Sequence, residues 1–103
     1  MPFTTEQIEA LAEVCGDCET PNPFEILYEG ERFAHLDDDG AELTLVGERV
    51  VMEKLGFDVR CHGRENYPQD WEYSITAWDF DTEFYPTLSQ AIEAACIQYL
   101  NNR

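Results

Sequence analysis

The sequence predicts an α+β fold in which an antiparallel sheet of three to four strands packs against two to three helices. Two observations lead to this class: apolar residues recur at helical spacing near both ends of the chain and once in its middle, and several stretches between them resemble strands. The 103 residues suffice for a single domain over 1–103. Apolar residues make up 44% of the chain, which argues against disorder despite the high charge.

The first predicted helix begins after Thr4. Thr4 and Gln7 have the spacing of a capping box, in which each side chain bonds to the other residue's backbone N–H. Gly16 is a suitable end for the helix. One face of the helix is apolar and consists of Ile8, Leu11, Ala12 and Cys15.

The middle of the chain is more mixed in character. Residues 17–23 contain two prolines and several turn formers, so the sequence predicts a loop there, followed by a short strand over 24–28. Residues 37–40 read Asp-Asp-Asp-Gly and predict a turn. Apolar spacing over 43–55 favours a second helix, with Gly56 as its end.

The last part of the chain combines two predicted strands with a closing helix. Residues 57–61 alternate as a strand does, and 63–70 predict a connecting loop. The strongest strand pattern covers 71–80, although its apolar residues change parity, which predicts a bulge near Ala77 or burial on both faces. The closing helix follows Thr87 in a second capping box, and its apolar stripe contains Leu88, Ala91, Ile92, Ala95, Cys96 and Tyr99.

The order of these elements also resembles a known family. A helix over 48–56, two strands beginning near Phe57 and Trp71, and the closing helix form a pattern similar to the phage ABA sandwich domain, a small phage-encoded family. The predicted opening helix over 8–14 is similar to the start of that family, whereas 18–39 has no counterpart in it. The resemblance implies a related fold and a phage origin, and it includes no catalytic motif.

Charge is the strongest functional signal in the sequence. The chain has 22 acidic and 6 basic residues, a net charge of −16, and neither 1–31 nor 65–102 contains any Lys or Arg. A field this negative repels nucleic acid and anionic membranes and attracts basic protein surfaces, so we expect no direct nucleic-acid binding and no membrane binding. The chain start lacks the pattern of a secretion signal, which predicts the cytoplasm of an infected or lysogenic bacterial host.

Three acidic groups are the candidate partner-binding residues. Carboxylates three and four residues apart on the first helix would form a stripe at intervals of about 5–6 Å. Alternating carboxylates on the late strand, if it stays extended, would repeat at about 6.5–7 Å, which resembles phosphate spacing along a nucleic-acid strand. The groups are Glu6, Glu9 and Glu13 on the helix, Asp37, Asp38 and Asp39 in the turn, and Asp79, Asp81 and Glu83 on the strand.

This pattern predicts a DNA mimic. A carboxylate row competes with phosphates for the Lys and Arg side chains of a nucleic-acid-binding protein. The chain would then occupy the basic channel of a host defence complex, such as a CRISPR effector complex, as an anti-CRISPR protein does. The alternatives are an acidic phage domain with a structural role, whose charge only keeps it solvated, and a zinc-stabilised adaptor.

The zinc alternative rests on cysteine spacing. Cys15 and Cys18 form a CxxC, and Cys61 and His62 could supply two further ligands. Neighbouring residues on a strand point to opposite faces, so Cys61 and His62 would reach one ion only if the strand ended there. We therefore expect no metal, no cofactor and reduced thiols.

Enzyme activity is not expected from this sequence. Only His35 and His62 could serve as a catalytic base, and neither lies in a nucleophile motif. The acidic residues offer no pair whose surroundings would separate their pKa values. Aromatic residues should lie mostly in the core, with either Trp71 or Trp78, not both, partly exposed.

Overall fold

The computed structural model describes residues 3–63 and 70–103. Within them the chain forms the expected α+β fold, with three helices, a four-stranded antiparallel sheet and a two-stranded sheet. In chain order the elements are α1 (Thr5–Cys15), β1 (Cys18–Asn22), β2 (Glu25–Tyr28), β3 (Glu31–Asp37), β4 (Gly40–Leu43), α2 (Leu45–Leu55), β5 (Asp58–His62), β6 (Glu72–Thr76) and α3 (Leu88–Asn101).

The first helix has the predicted ends and the predicted buried face. The backbone N–H of Gln7 donates to Thr4 Oγ1 at 3.1 Å, and the N–H of Thr4 donates to Gln7 Oε1 at 2.9 Å, which completes the capping box. Gly16 ends α1 with a positive φ of 73°. The buried residues of α1 are Ile8, Leu11, Ala12 and Cys15.

The other two helices also begin at threonine caps. Thr44 Oγ1 accepts from the N–H of Gly47, and Thr87 Oγ1 accepts from the N–H of Gln90. The second predicted capping box differs in detail, because the Gln90 side chain bonds to the Thr87 hydroxyl. The predicted stripe of α3 is buried at Ala91, Ile92, Ala95 and Cys96, whereas Leu88 is 38% exposed.

The four-stranded sheet contains more of the chain than the sequence predicted. Its strands run in the order β1-β2-β3-β4 and are all antiparallel. The predicted loop over 17–23 is wrong, because most of it forms β1. This strand lies at the edge of the sheet, where Pro21 is tolerated because one side of the strand needs no hydrogen-bond donors. The predicted turn is confirmed: Asp37 pairs with Gly40 across a two-residue loop.

A β-bulge decides which side of β3 faces the core. Ile26 pairs with Ala34, but the next pair is Leu27 with Arg32, which leaves Phe33 as the extra residue. Phe33 and Ala34 are neighbours in sequence, and both are fully buried. Because the bulge breaks the usual alternation, β3 does not show the sequence pattern of a strand.

The second sheet is shorter than predicted and turns back on itself. β5 and β6 pair in register with Val59 opposite Ile75. The strand prediction over 71–80 is wrong beyond Thr76, because the chain reverses and 81–85 returns along β6, with Asp81 opposite Thr76 and Tyr85 opposite Tyr73. This reversal, and not a bulge near Ala77, causes the change of parity. The predicted loop over 63–70 lies mostly outside the described residues.

One core connects these elements. The three helices contact one another, α1 and α2 also lie against the four-stranded sheet, and α3 lies against β6. The largest fully buried side chains come from both sheets and all three helices: Ile8, Leu11, Ile26, Phe33, Val51, Ile75 and Cys96. No helix among the described residues is long and apolar enough to cross a membrane.

Candidate interaction surface

The acidic side chains lie overwhelmingly at the surface. Of the 21 acidic residues in the described part of the chain, only Glu25, Glu48 and Glu93 are half-buried, and the other 18 are exposed. Two ion pairs join acids to bases within 3–63 and 70–103: Arg32 to Glu25 at 2.9 Å and Arg49 to Glu31 at 3.6 Å. Most of the negative charge is therefore directed at solvent.

The first-helix acids occupy the outer face of α1, as predicted. Glu6, Glu9 and Glu13 are exposed, on the side of the helix away from its buried residues. Glu9 and Glu13 also line a shallow groove of about 320 Å³ between α1 and β1, together with Asp17. The remaining lining residues of this groove are Ala12, Gly16, Cys18, Thr20 and Ile26.

The acidic turn lies beside the start of the same helix. Asp37, Asp38 and Asp39 are exposed at the hairpin between β3 and β4, and the N–H of Asp38 donates to Asp37 Oδ1 at 2.6 Å. Asp37 and Asp38 line one depression together with Thr5, the first residue of α1. The fold thus brings the turn, which is far from α1 in sequence, beside the start of that helix.

The third group differs from the prediction. Asp79 lies in the loop where the chain reverses after β6, and Asp81 and Glu83 lie on the returning segment. All three are exposed, and Phe80 and Thr82 between them are half-buried. The regular spacing expected for a single extended strand does not apply, because the chain turns at Trp78 and Asp79.

The acidic groups therefore belong to different parts of the fold. The acids of α1 and the turn at 37–39 lie beside or on the four-stranded sheet, whereas residues 79–83 lie next to β6 of the second sheet. The two sheets share no ladder hydrogen bonds, and α3 packs against β6.

The geometry does not support the zinc alternative. Within the described residues, which include all four candidate ligands, no three His, Cys, Asp or Glu side chains are arranged to hold a metal ion. Cys15 is buried at the end of α1, Cys18 is half-buried on β1, and Cys61 and His62 are exposed on β5. All four cysteines are free thiols.

Two of these thiols are poor nucleophiles because they are buried. Burial raises the pKa of Cys15 to about 11, and the neighbouring Cys18 adds to this effect. Burial also raises the pKa of Cys96 well above its usual value. Both cysteines therefore act as small apolar core residues.

Sequence reasoning missed two features of the surface. Trp78 is 100% exposed and Trp71 is half-buried, so the expectation that only one of them would be partly exposed is wrong.

Glu93 on α3 is half-buried, and burial raises the pKa of its carboxyl group. It lines a groove of about 500 Å³ together with Tyr85 and Ile97. Glu93 follows Ile92 of the predicted apolar stripe, but no prediction from the sequence concerned its burial.

Comparisons with known proteins add no relative. A scan against models of protein families finds no match, and searches of curated proteins and of solved structures find none either. The fold and the surface together define an α+β protein with a densely acidic exterior and few compensating cations.

Proposed function

We propose that this chain is a small acidic protein of phage or prophage origin that binds a basic nucleic-acid-binding surface of a host protein complex. It blocks that surface by DNA mimicry and acts stoichiometrically, in the manner of an anti-CRISPR inhibitor. The observation that carries the proposal is the exposure of 18 acidic side chains on a chain with six basic residues.

The arrangement of the acids favours binding through a fixed row of carboxylates over attraction by diffuse surface charge. Glu6, Glu9 and Glu13 are fixed on a capped helix, and the turn at 37–39 adjoins its start. Charge-assisted hydrogen bonds to carboxylates use the same Lys and Arg donors that bind phosphates. A protein that replaces the phosphates in this way excludes the nucleic acid from the channel.

The charge also selects the class of partner. At −16 the protein repels nucleic acid and anionic lipid, and it attracts a basic surface over long range. Electrostatic steering accelerates association at low salt, and added salt screens it. A CRISPR effector complex is one host complex with such a channel.

The test begins with capture of host proteins on the immobilised chain and their identification by mass spectrometry. The captured protein is then loaded with a labelled nucleic acid, and the acidic chain is titrated against it. We expect displacement of the nucleic acid, with an affinity that falls steeply as salt rises. An affinity that stays flat between low and high salt would overturn the proposal.

Charge reversal shows which surface matters. One variant carries Lys at Glu6, Glu9 and Glu13, a second carries Lys at the three acids of 79–83, and a matched control carries Lys at Glu29, Glu53 and Asp70. All three variants have the same net charge. We expect at least one of the first two to lose more competition than the control does. Equal losses in all three would mean that only the total charge acts, which suits an acidic domain without a specific site.

A further inference from the structure

Among the residues that the structure describes, the most exposed large apolar side chain lies at the tip of a hairpin. Trp78 is 100% exposed and lies with Asp79 in the two-residue loop between Ala77 and Phe80, where the chain turns from β6 into the returning segment 81–85. The N–H of Ala77 donates to the carbonyl of Phe80 at 2.8 Å across this loop, and Thr76 pairs with Asp81 behind it. The indole is thus presented to solvent on both of its faces.

Packing behind the loop holds it in place. The Phe80 ring meets the Phe57 ring edge to face, with centroids 6.0 Å apart, and Phe57 meets Tyr99 of α3 in the same way at 6.3 Å. Phe57 is only 5% exposed, so the hairpin is anchored in the core. An aromatic side chain on an anchored loop loses little conformational freedom when it binds, which favours affinity.

Three carboxylates surround this end of the sheet. Asp58 and Asp81 pair with Thr76 from opposite sides, so both lie on the same face of the sheet as Thr76. Asp79 directly follows Trp78 in the loop. All three are exposed, and neither of the ion pairs in the described parts of the chain includes any of them.

This combination matches the guanidinium group. Arginine stacks its planar cation on an indole face and at the same time donates in pairs to carboxylates, whereas the lysine ammonium is more strongly hydrated and lacks the planar fork. A second copy of this chain would bring −16 against −16 and be repelled, and nucleic acid is repelled likewise. Charge complementarity therefore leaves a basic protein as the occupant.

We propose that Trp78, together with Asp58, Asp79 and Asp81, forms an arginine-binding surface that holds an arginine side chain of the basic protein partner. This inference rests on the proposed function, because that function supplies a basic partner, and it adds the residue type that this end of the protein recognises. Trp78 acts as the anchor, since exposed tryptophans in rigid positions are frequent binding hot spots. The carboxylates orient the guanidinium on the ring.

The test is isothermal titration calorimetry of the full chain with an oligoarginine peptide and an oligolysine peptide of equal length. We expect tighter binding of oligoarginine, and Trp78→Ala should weaken it by about 5-fold, the upper end of the range for one exposed cation–π contact. Trp78→Phe should lose less, because a ring remains. Binding of oligolysine should change by less than about twofold in Trp78→Ala.

Phe24→Ala is the matched control. Phe24 is also exposed, at 66%, and lines a depression with two carboxylates, Asp37 and Asp38, but it lies in the turn between β1 and β2 of the four-stranded sheet. It should leave the affinity for oligoarginine within about twofold of the original protein. Since Trp78 makes no buried contact, Trp78→Ala should melt at the same temperature as the original chain by circular dichroism.

The outcomes separate the two proposals. Unchanged oligoarginine affinity in Trp78→Ala, or an equal loss in Phe24→Ala, overturns the arginine-binding surface and leaves the proposed function in place. Equal affinities of the original chain for oligoarginine and oligolysine also overturn it. If the original chain binds neither peptide even at low salt, both proposals fail.

Discussion

Glu93 shows how one position combines charge with burial. Its side chain projects from α3, lines two grooves and is half-buried. This burial raises the pKa of the carboxyl group. A carboxyl whose pKa is higher in the folded protein than in the unfolded chain costs stability while it is ionised. This cost is present at neutral pH and disappears as the pH falls through the folded pKa towards the unfolded value.

We therefore expect Glu93→Gln to raise the free energy of unfolding at pH 7 by less than about 1 kcal/mol, since solvent screens a group this exposed. The gain should vanish below about pH 4, near the ordinary glutamate pKa, because Glu93 is then protonated and neutral in both the folded and the unfolded chain. Urea unfolding at a series of pH values measures it. Glu13→Gln, on the exposed face of α1, controls for the general loss of one negative charge. If Glu93→Gln still raised the free energy of unfolding at pH 3 by more than Glu13→Gln does, the prediction would be contradicted.

Among the elements, α2 depends on a close approach to β3. Thr44 donates its backbone N–H to the carbonyl of Phe33 at 3.0 Å and caps α2 with its hydroxyl. Gly47, in the first turn of α2, is buried against the same carbonyl: a Cβ at this position would lie 2.0 Å from Phe33 O. Only glycine allows the helix to sit this close to the bulged strand.

Gly47→Ala should therefore destabilise the protein by about 3 kcal/mol, the upper end of the cost of overfilling a packed site, because a backbone carbonyl has to move. Thermal or urea unfolding followed by circular dichroism measures the loss. Leu45→Ala in the same helical turn is the control and should have a small effect, because Leu45 is 84% exposed. Similar losses in the two variants would show that helix formation, and not the contact with Phe33, limits stability.

The elements that the sequence predicted correctly depend on neighbouring residues. Capping boxes and apolar stripes lie within one or two helical turns, so the three helices and the caps at Thr4 and Thr87 follow directly from the order of residues. The cap at Thr44 was not predicted, because the apolar pattern placed the start of α2 at Leu43. The hairpin at Trp78 and Asp79 was missed because its loop lacks the Gly and Asn residues typical of tight hairpins. β3 was missed because the bulge at Phe33 removes the alternation that marks a strand.

For the whole molecule, the dominant property is repulsion among exposed acids. A net charge of −16 on one small domain destabilises the compact state, and mobile ions screen this repulsion. In the unfolded chain the same charges lie further apart, so screening lowers its free energy less than it lowers the free energy of the folded protein. Added salt should therefore stabilise the folded protein.

We expect the Tm in circular dichroism to rise between low and moderate NaCl. A relief of about 1 kcal/mol corresponds to a rise of about 4–8 °C for a domain of this size. A variant with Gln at Glu29 and Glu53 and Asn at Asp70 carries less charge and should show a smaller rise. If Tm fell with salt, or rose equally in both proteins, surface repulsion would not be the cause.

The candidate surface was predicted in part. The outward face of α1 follows from helical spacing, and Glu6, Glu9 and Glu13 are exposed as the sequence indicated. The regular row over 79–83 does not form as predicted, because Asp79 lies in the turn where the chain reverses and only Asp81 and Glu83 lie on the returning segment. Whether any of these acids binds a partner stays a prediction. The proximity of the turn at 37–39 to α1 had no local signal, since the two are more than twenty residues apart in the chain.

The sequence by itself determined the net charge, the three helices with both ends of α1, and the acidic turn, because composition and contacts between near neighbours suffice for each. The tertiary structure alone decided that the acidic turn lies beside the start of α1, that the neighbours Phe33 and Ala34 are both buried, and that Trp78 stands free in solvent beside Asp79 and Asp81. These depend on strand pairing and on the packing of Phe80 against Phe57. Such contacts join residues that are distant in the chain, and the local pattern does not encode them.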